Sequence, residues 1–137
     1  MALQALASTI SPDRWDERTT PDRFTLREAA GHLAVHEPIF RGRMERTVAE
    51  PGFAINYIPV SAEEEGNPYG SMNPTEQLAI YLEERAKTVR FIEGCQEEDL
   101  KQTAMHPKWG GMTILDQATF LLGHDLYHLR HLTEYFA

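Results

Sequence analysis

Residues 113–131 read TILDQATFLLGHDLYHLRH, and the two rows of side chains in this stretch decide the fold. A helix is expected from Thr113 to the C-terminus, because Asp116 stands three residues beyond a threonine that can cap it. One row of this helix carries His124 and His128. The opposite row is apolar, so no ordinary solvent face is left. That row consists of Leu115, Ala118, Leu122, Leu126 and Leu129.

The apolar row has two interpretations. It forms the core of a helical bundle while the histidines line a cleft, or it packs against a second subunit in a homodimer. The pattern alone leaves both open.

The histidine row indicates a metal site. His124 and His128 lie four residues apart, which places their Cβ atoms about 6 Å apart on one helix face. Two imidazoles at that spacing can share a metal ion, as in the two-histidine helix of zinc proteases. The catalytic glutamate of that protease motif is missing, since Asp125 follows His124 directly. A protease is therefore excluded.

A metal needs at least one further ligand from another element. His32 and His36, again four residues apart, lie on an earlier predicted helix, and His106 in a predicted loop is a weaker candidate. A histidine pair on one helix is often only a pair of surface or core residues. Here five of the six histidines fall in two clusters on two helices, which favours metal binding.

The second helix is predicted from Leu26 to about Glu50. Thr25 can cap it together with Glu28, and Pro38 should kink it without ending it because the apolar period continues beyond. That period is carried by Leu26, Ala29, Leu33, Phe40 and Met44.

Two more helices complete the prediction. The first, Ala2 to Ser8, is short, and the third begins at Pro74 after the N-cap Asn73 and ends near Glu93. The inner face of the third helix is predicted as Leu78, Tyr81, Leu82, Arg85, Val89 and Ile92. Four helices and almost no strand signals predict an all-α four-helix bundle in one domain, residues 1–137.

The connection from Pro51 to Asn73 is unusually long for a compact domain. Phe53 to Val60 is its one β-like run, and the surrounding prolines and glycines favour a loop there. Tyr57 and Tyr69 are interpreted either as lining a pocket or as surface anchors.

Composition narrows the classes of function. Thirteen Lys and Arg against 21 Asp and Glu give a net charge of −8, which argues against nucleic-acid binding. No apolar run is long enough for a membrane span, and the N-terminus lacks the features of a secretory signal, so a cytoplasmic protein is expected. The single cysteine, Cys95, cannot form a cysteine-rich zinc site.

Three blocks of the sequence resemble the DinB/YfiT-like superfamily of metalloenzymes. They are FTLREAAGHLA at residues 24–34, HPKWGGMT at 106–113 and HDLYHL at 124–129, and they occur in the family's order and spacing. The resemblance implies an up-down-down-up bundle in which the long connection crosses over between helices two and three. It also implies a divalent metal, zinc or nickel, held by His32, His124 and His128.

The resemblance has two departures and one match. Val35 stands where the family often has Asp, and His131 stands where it often has Gln, so His131 could act as a fourth ligand. Glu37 matches an acidic position, and His36 becomes a second-sphere or spare residue.

The implied function is a metal-dependent hydrolase or a thiol S-transferase acting on a small molecule, in the latter case with a low-molecular-weight thiol. The alternative is a non-catalytic binding or stress-response module with a structural metal or none.

Overall fold

The computed structural model describes residues 2–56 and 68–136. Short 3-10 turns occur at Pro12–Arg14 and Thr133–Phe136. The helices are α1 (Ala2–Ser8), α2 (Leu26–Ala49), α3 (Pro74–Gly94), the short α4 (Glu97–Lys101) and α5 (Ile114–Leu132), and an antiparallel hairpin is formed by β1 (Thr103–His106) and β2 (Gly110–Thr113).

The predicted caps set the start of each long helix. Thr25 and Glu28 form a capping box on α2, and Thr113 and Asp116 form another on α5. The Asn73 side chain accepts hydrogen bonds from two backbone amides in the first turn of α3. Helix α2 continues through Pro38 as predicted, because the apolar stripe packs on both sides of it.

Helices α2 and α3 run parallel to each other. Ala30 on α2 packs in one cluster with Leu78 on α3, while Glu37, further along α2, pairs with Arg85 further along α3. Helix α1 is antiparallel to both, because Ala7 near its end packs in the same cluster as Ala30. Ile10, beyond the end of α1, meets the first residues of α2.

Helix α5 is antiparallel to α2. Leu132 at its end packs with Leu26 at the start of α2, and Gln117 near its beginning donates a hydrogen bond to Thr47 near the end of α2, at 2.9 Å. These pairings confirm the up-down-down-up order and bring the histidine-bearing parts of α2 and α5 to the same level.

Most of the residues predicted to face the core are buried. Every residue of the predicted α2 stripe is buried, from Leu26 to Met44. The inner face of α3 departs from the prediction near Val89: Leu78 and Tyr81 are buried, but Val89 is 44% exposed and its neighbour Thr88 is 2% exposed instead. The face continues into the last turn of the helix, where Ile92 packs against the cluster that contains Met44 of α2.

The hairpin was not predicted, and His106 lies at the end of β1 instead of in a loop. Its strands are only four residues long, and Gly110, the first residue of β2, has a φ of +72°. The hairpin is held by tertiary contacts: Ala104 is fully buried, and Met105 forms a bridge with Ala54. That bridge falls in the stretch predicted as a loop, Phe53 to Val60, of which residues 57–60, including Tyr57, lie outside the described residues.

In the described part of the chain, no helix has the length and apolar character that crossing a membrane requires.

Candidate metal centre

Three histidine rings from two helices converge inside the bundle. His32 comes from α2, and His124 and His128 come from successive turns of α5. One ring nitrogen from each lies within 4.8 Å of the others, and the Nε2 atoms of His32 and His124 are 2.8 Å apart. Only the side chain of His124 keeps appreciable contact with solvent, at 17% exposure.

The environment keeps two of these rings uncharged. Burial, with the neighbouring histidines, lowers the pKa of His32 to about 3 and that of His128 to about 2. Metal ligation requires neutral imidazole, so these rings are ready to bind at neutral pH. The Nδ1 atom of His128 is buried without a hydrogen-bond partner among residues 2–56 and 68–136. The donor set therefore fits a divalent metal of zinc type.

Asp125 orients the third ring. Its Oδ1 lies 3.0 Å from Nδ1 of His124, so the proton of the neutral ring belongs on Nδ1 and the Nε2 lone pair faces His32. This carboxylate–histidine arrangement is typical of metal sites, where it fixes the tautomer and makes the ligand more basic. Burial alone would raise the pKa of Asp125, but the bonds from His124 and Arg85 hold it below its usual value.

Asp125 is itself anchored by two residues of α3. Its Oδ2 accepts a hydrogen bond from the Tyr81 hydroxyl at 3.0 Å and another from Arg85. Arg85 also binds both carboxylate oxygens of Glu37, at 2.6 and 2.9 Å. Three helices are thus joined behind the His124 ring by one largely buried network, in which a single guanidinium is shared by two carboxylates.

The other predicted site residues lie around this group. The ring of His36 stacks on His32 with centroids 4.1 Å apart, and Glu37 is connected to the site through Arg85. His131 is buried beside Tyr127, and its electrostatic neighbours include Arg23 and Glu134, which places it outside the group of three.

A cavity of about 1030 Å³ opens beside the histidines. Tyr69, which is 1% exposed, does not line it and packs instead against Gly31. Besides the three histidines, its walls include His36, Phe40, Arg43, Asn56, His106, Lys108, Trp109, Phe120 and Tyr127.

Sequence reasoning missed the roles of Asp125, Arg85 and the cavity cations. Arg85 stands on the predicted inner face of α3, and a charge at a core position needs a partner, which was the available signal. The missing Asp at Val35 has no bearing on this network, because Val35 is 38% exposed.

The fold and the histidine cluster define a class of protein: four-helix bundles with a three-histidine centre between two antiparallel helices, here α2 and α5. The sequence model of the DinB superfamily matches residues 1–132, and the chain belongs to this superfamily. No curated protein sequence gives a significant match.

Solved structures share the fold. YfiT from Bacillus subtilis, described as a probable metal-dependent hydrolase with an unusual four-helix bundle topology, superposes with a TM-score of 0.85 at 19% identity, covering 97% of this chain and 77% of YfiT. The DinB-like protein YjoA from Bacillus subtilis gives a TM-score of 0.60 at 17% identity, covering 97% of this chain and 81% of YjoA.

Proposed function

We propose that this protein is a metal-dependent hydrolase of a small molecule, with one zinc or nickel ion held by His32, His124 and His128. The observation that carries the proposal is the convergence of three imidazole nitrogens within 4.8 Å at the wall of a large cavity. The description of YfiT as a probable metal-dependent hydrolase supports the same reaction class.

An open coordination position distinguishes a catalytic metal from a structural one. Within residues 2–56 and 68–136, no fourth His, Cys, Asp or Glu joins the three histidines. A divalent metal with an open position activates water and polarises a carbonyl group. In this chain His32 and His128 supply neutral ligands, Asp125 holds the proton on His124 Nδ1, and the cavity binds and shields the substrate.

Metal analysis of purified, untagged protein tests the site. We expect close to one equivalent of zinc or nickel per chain, and its loss in His128→Ala because two imidazoles hold a metal poorly. His131→Ala is the matched control on the same helix and should retain the metal. A wild-type protein that stays metal-free after zinc or nickel is added would refute the proposal.

A thiol S-transferase is the second candidate. The cavity volume lies at the upper end of the usual 300–1,000 Å³ range of ligand pockets, which favours room for a thiol beside an acceptor. The two activities separate in one assay of the metal-loaded protein. Acceptor consumption that requires added thiol indicates transfer, whereas product release without thiol indicates hydrolysis. If the protein binds the metal but catalyses neither transfer nor hydrolysis, the result supports the alternative function of a non-catalytic binding module.

A cytoplasmic homodimer remains part of the proposal. Leu115, Leu122 and Leu126 on α5 are 54%, 54% and 57% exposed, an apolar row that a second copy would cover. Sedimentation should then give the mass of two chains, and Leu122→Glu should reduce it to one. Val89→Glu, which changes an exposed apolar residue on α3, is the control and should leave the mass unchanged. A wild-type monomer would refute the dimer.

A further inference from the structure

The cavity has a cationic end as well as a histidine end. The ring of Phe40 lies 5.2 Å from the ring of His124 and 5.6 Å from the guanidinium carbon of Arg43. The guanidinium and the His124 ring are therefore separated by no more than these two distances together. Lys108 lines the same cavity from the hairpin.

The positive charges of Arg43 and Lys108 both act on His106. Arg43, His106 and Lys108 all line this cavity, and the pKa of His106 is lowered by burial and then by the charges of the two cations. His106 stacks on Trp109 at 4.3 Å, and its Nδ1 accepts the backbone N–H of Lys108 at 3.1 Å. A neutral ring bonded in this way carries its proton on Nε2, a further donor at this end.

Neither cation has a carboxylate partner within salt-bridge distance among the described residues. Arg43 donates to the backbone carbonyl of Asn56, which engages one of its five N–H donors, and burial lowers its pKa. Arg43 lies over the Phe40 ring, and the exposed Lys108 lies over the Trp109 ring at 5.5 Å, so both cations stay at the cavity in a chain of net charge −8. They are suited to an oxyanion, which guanidinium binds through two parallel hydrogen bonds.

The space between the two ends is aromatic. Phe40 and Phe120 are 6.0 Å apart between ring centroids, and Trp109 lies 5.2 Å from Phe120. These faces suit an apolar or aromatic body, which they would bind by area burial and stacking.

We propose that the cavity binds an amphipathic organic anion, with its carboxylate or phosphate on Arg43 and Lys108, its apolar body on Phe40 and Phe120, and its reactive group at the three histidines. The placement of the reactive group at the three histidines rests on the proposed function, whereas binding of the anion does not. Since the His124 ring and the Arg43 guanidinium are at most about 11 Å apart, a ligand with a short chain between its oxyanion and its acyl group can reach both ends.

A binding experiment tests the cationic end. In a Trp15→Phe background Trp109 is the sole tryptophan, and its fluorescence reports the binding of 4-phenylbutyrate, 3-phenylpropyl phosphate and neutral 4-phenylbutanamide. We expect the anions to bind about tenfold more tightly than the amide, the effect of one charge-assisted pair. The ratio between the two anions tells carboxylate from phosphate recognition.

Variants locate the anion. Arg43→Gln should abolish the preference for anions, whereas Arg46→Gln, one turn away and stacked on Phe53 outside the cavity, should preserve it. Lys108→Gln, on the exposed hairpin, should weaken the preference severalfold and serves as the second variant if Arg43→Gln does not fold. Equal affinity for amide and anions, or a preference that survives Arg43→Gln because the anion sits on the metal, would overturn the proposal.

Hydrolysis by the zinc-loaded protein separates this proposal from the function itself. With 4-nitrophenyl hydrogen glutarate and neutral 4-nitrophenyl valerate, we expect kcat/KM to favour the charged ester about tenfold, mainly through KM. Equal hydrolysis of both esters would overturn the anion site and leave the hydrolase in place. No hydrolysis of either ester, with anion binding intact, would overturn the hydrolase and leave the anion site.

Discussion

Asp125 connects the candidate ligand His124 to the rest of the bundle. We expect Asp125→Asn to weaken zinc binding by about 10–100-fold. The donors Tyr81 and Arg85 would hold the amide oxygen, so the uncharged NH2 group would face Nδ1 of His124 and disfavour the tautomer with its proton there. Competition with a chromophoric chelator measures this change. Asp116→Asn is the control: it weakens the cap of the same helix and should lower the melting temperature with zinc affinity unchanged. Unaltered zinc affinity in Asp125→Asn would contradict the assignment.

Some residues of the candidate site could be predicted from the sequence, and others could not. The histidines could be predicted because their spacing places them on helix faces, and the structure brings His32, His124 and His128 together. The role of Asp125 could not, since its partner Arg85 lies 40 residues away on a helix whose orientation the local pattern does not determine. Long-range charge pairing becomes visible only once the helices are packed.

Helix α2 contains two glycines in opposite surroundings. A Cβ on Gly31 would lie 2.5 Å from the Tyr69 ring, whereas one on Gly42 would meet nothing within 4 Å. Gly31→Ala should therefore destabilise the fold by about 1–3 kcal/mol through overpacking. Gly42→Ala should stabilise it by up to about 1 kcal/mol through helix propensity. Urea unfolding measures both, and equal effects of the two changes would show that Tyr69 does not pack as described.

At the level of elements, the long periodic helices and the short α1 were predictable, whereas the hairpin was not. The capping residues and apolar stripe of α2 fix a helix from its own sequence, and the same holds for α5. The hairpin at 103–113 has strands of four residues, too short for a clear alternation. It is stabilised instead by the bridge from Ala54, a contact that no local pattern contains.

The whole molecule should lose stability in acid when it is free of metal. The pKa values of His32 and His128 are about 3 and 2 in the folded protein, against an ordinary 6.5, so the unfolded chain takes up protons first as the pH falls. Each imidazole then removes roughly 1.4 kcal/mol per pH unit between about pH 6.5 and its folded pKa, and this loss reverses as the pH rises.

Urea titrations in EDTA from pH 7.5 to pH 5 measure this dependence. His128→Gln should reduce the slope of unfolding free energy against pH by the contribution of one imidazole. An unchanged slope in this variant would mean that His128 titrates normally in the folded protein.

The antiparallel docking of α5 on α2 also has a consequence for biosynthesis. His32 and His124 are 92 residues apart in the chain, so their encounter closes one of the largest loops in the protein. The entropy of that closure is lost before any ligand contact can form. A nascent chain whose α5 is still within the ribosome would therefore be unable to assemble the proposed three-histidine site, so any metal loading would follow the emergence of α5.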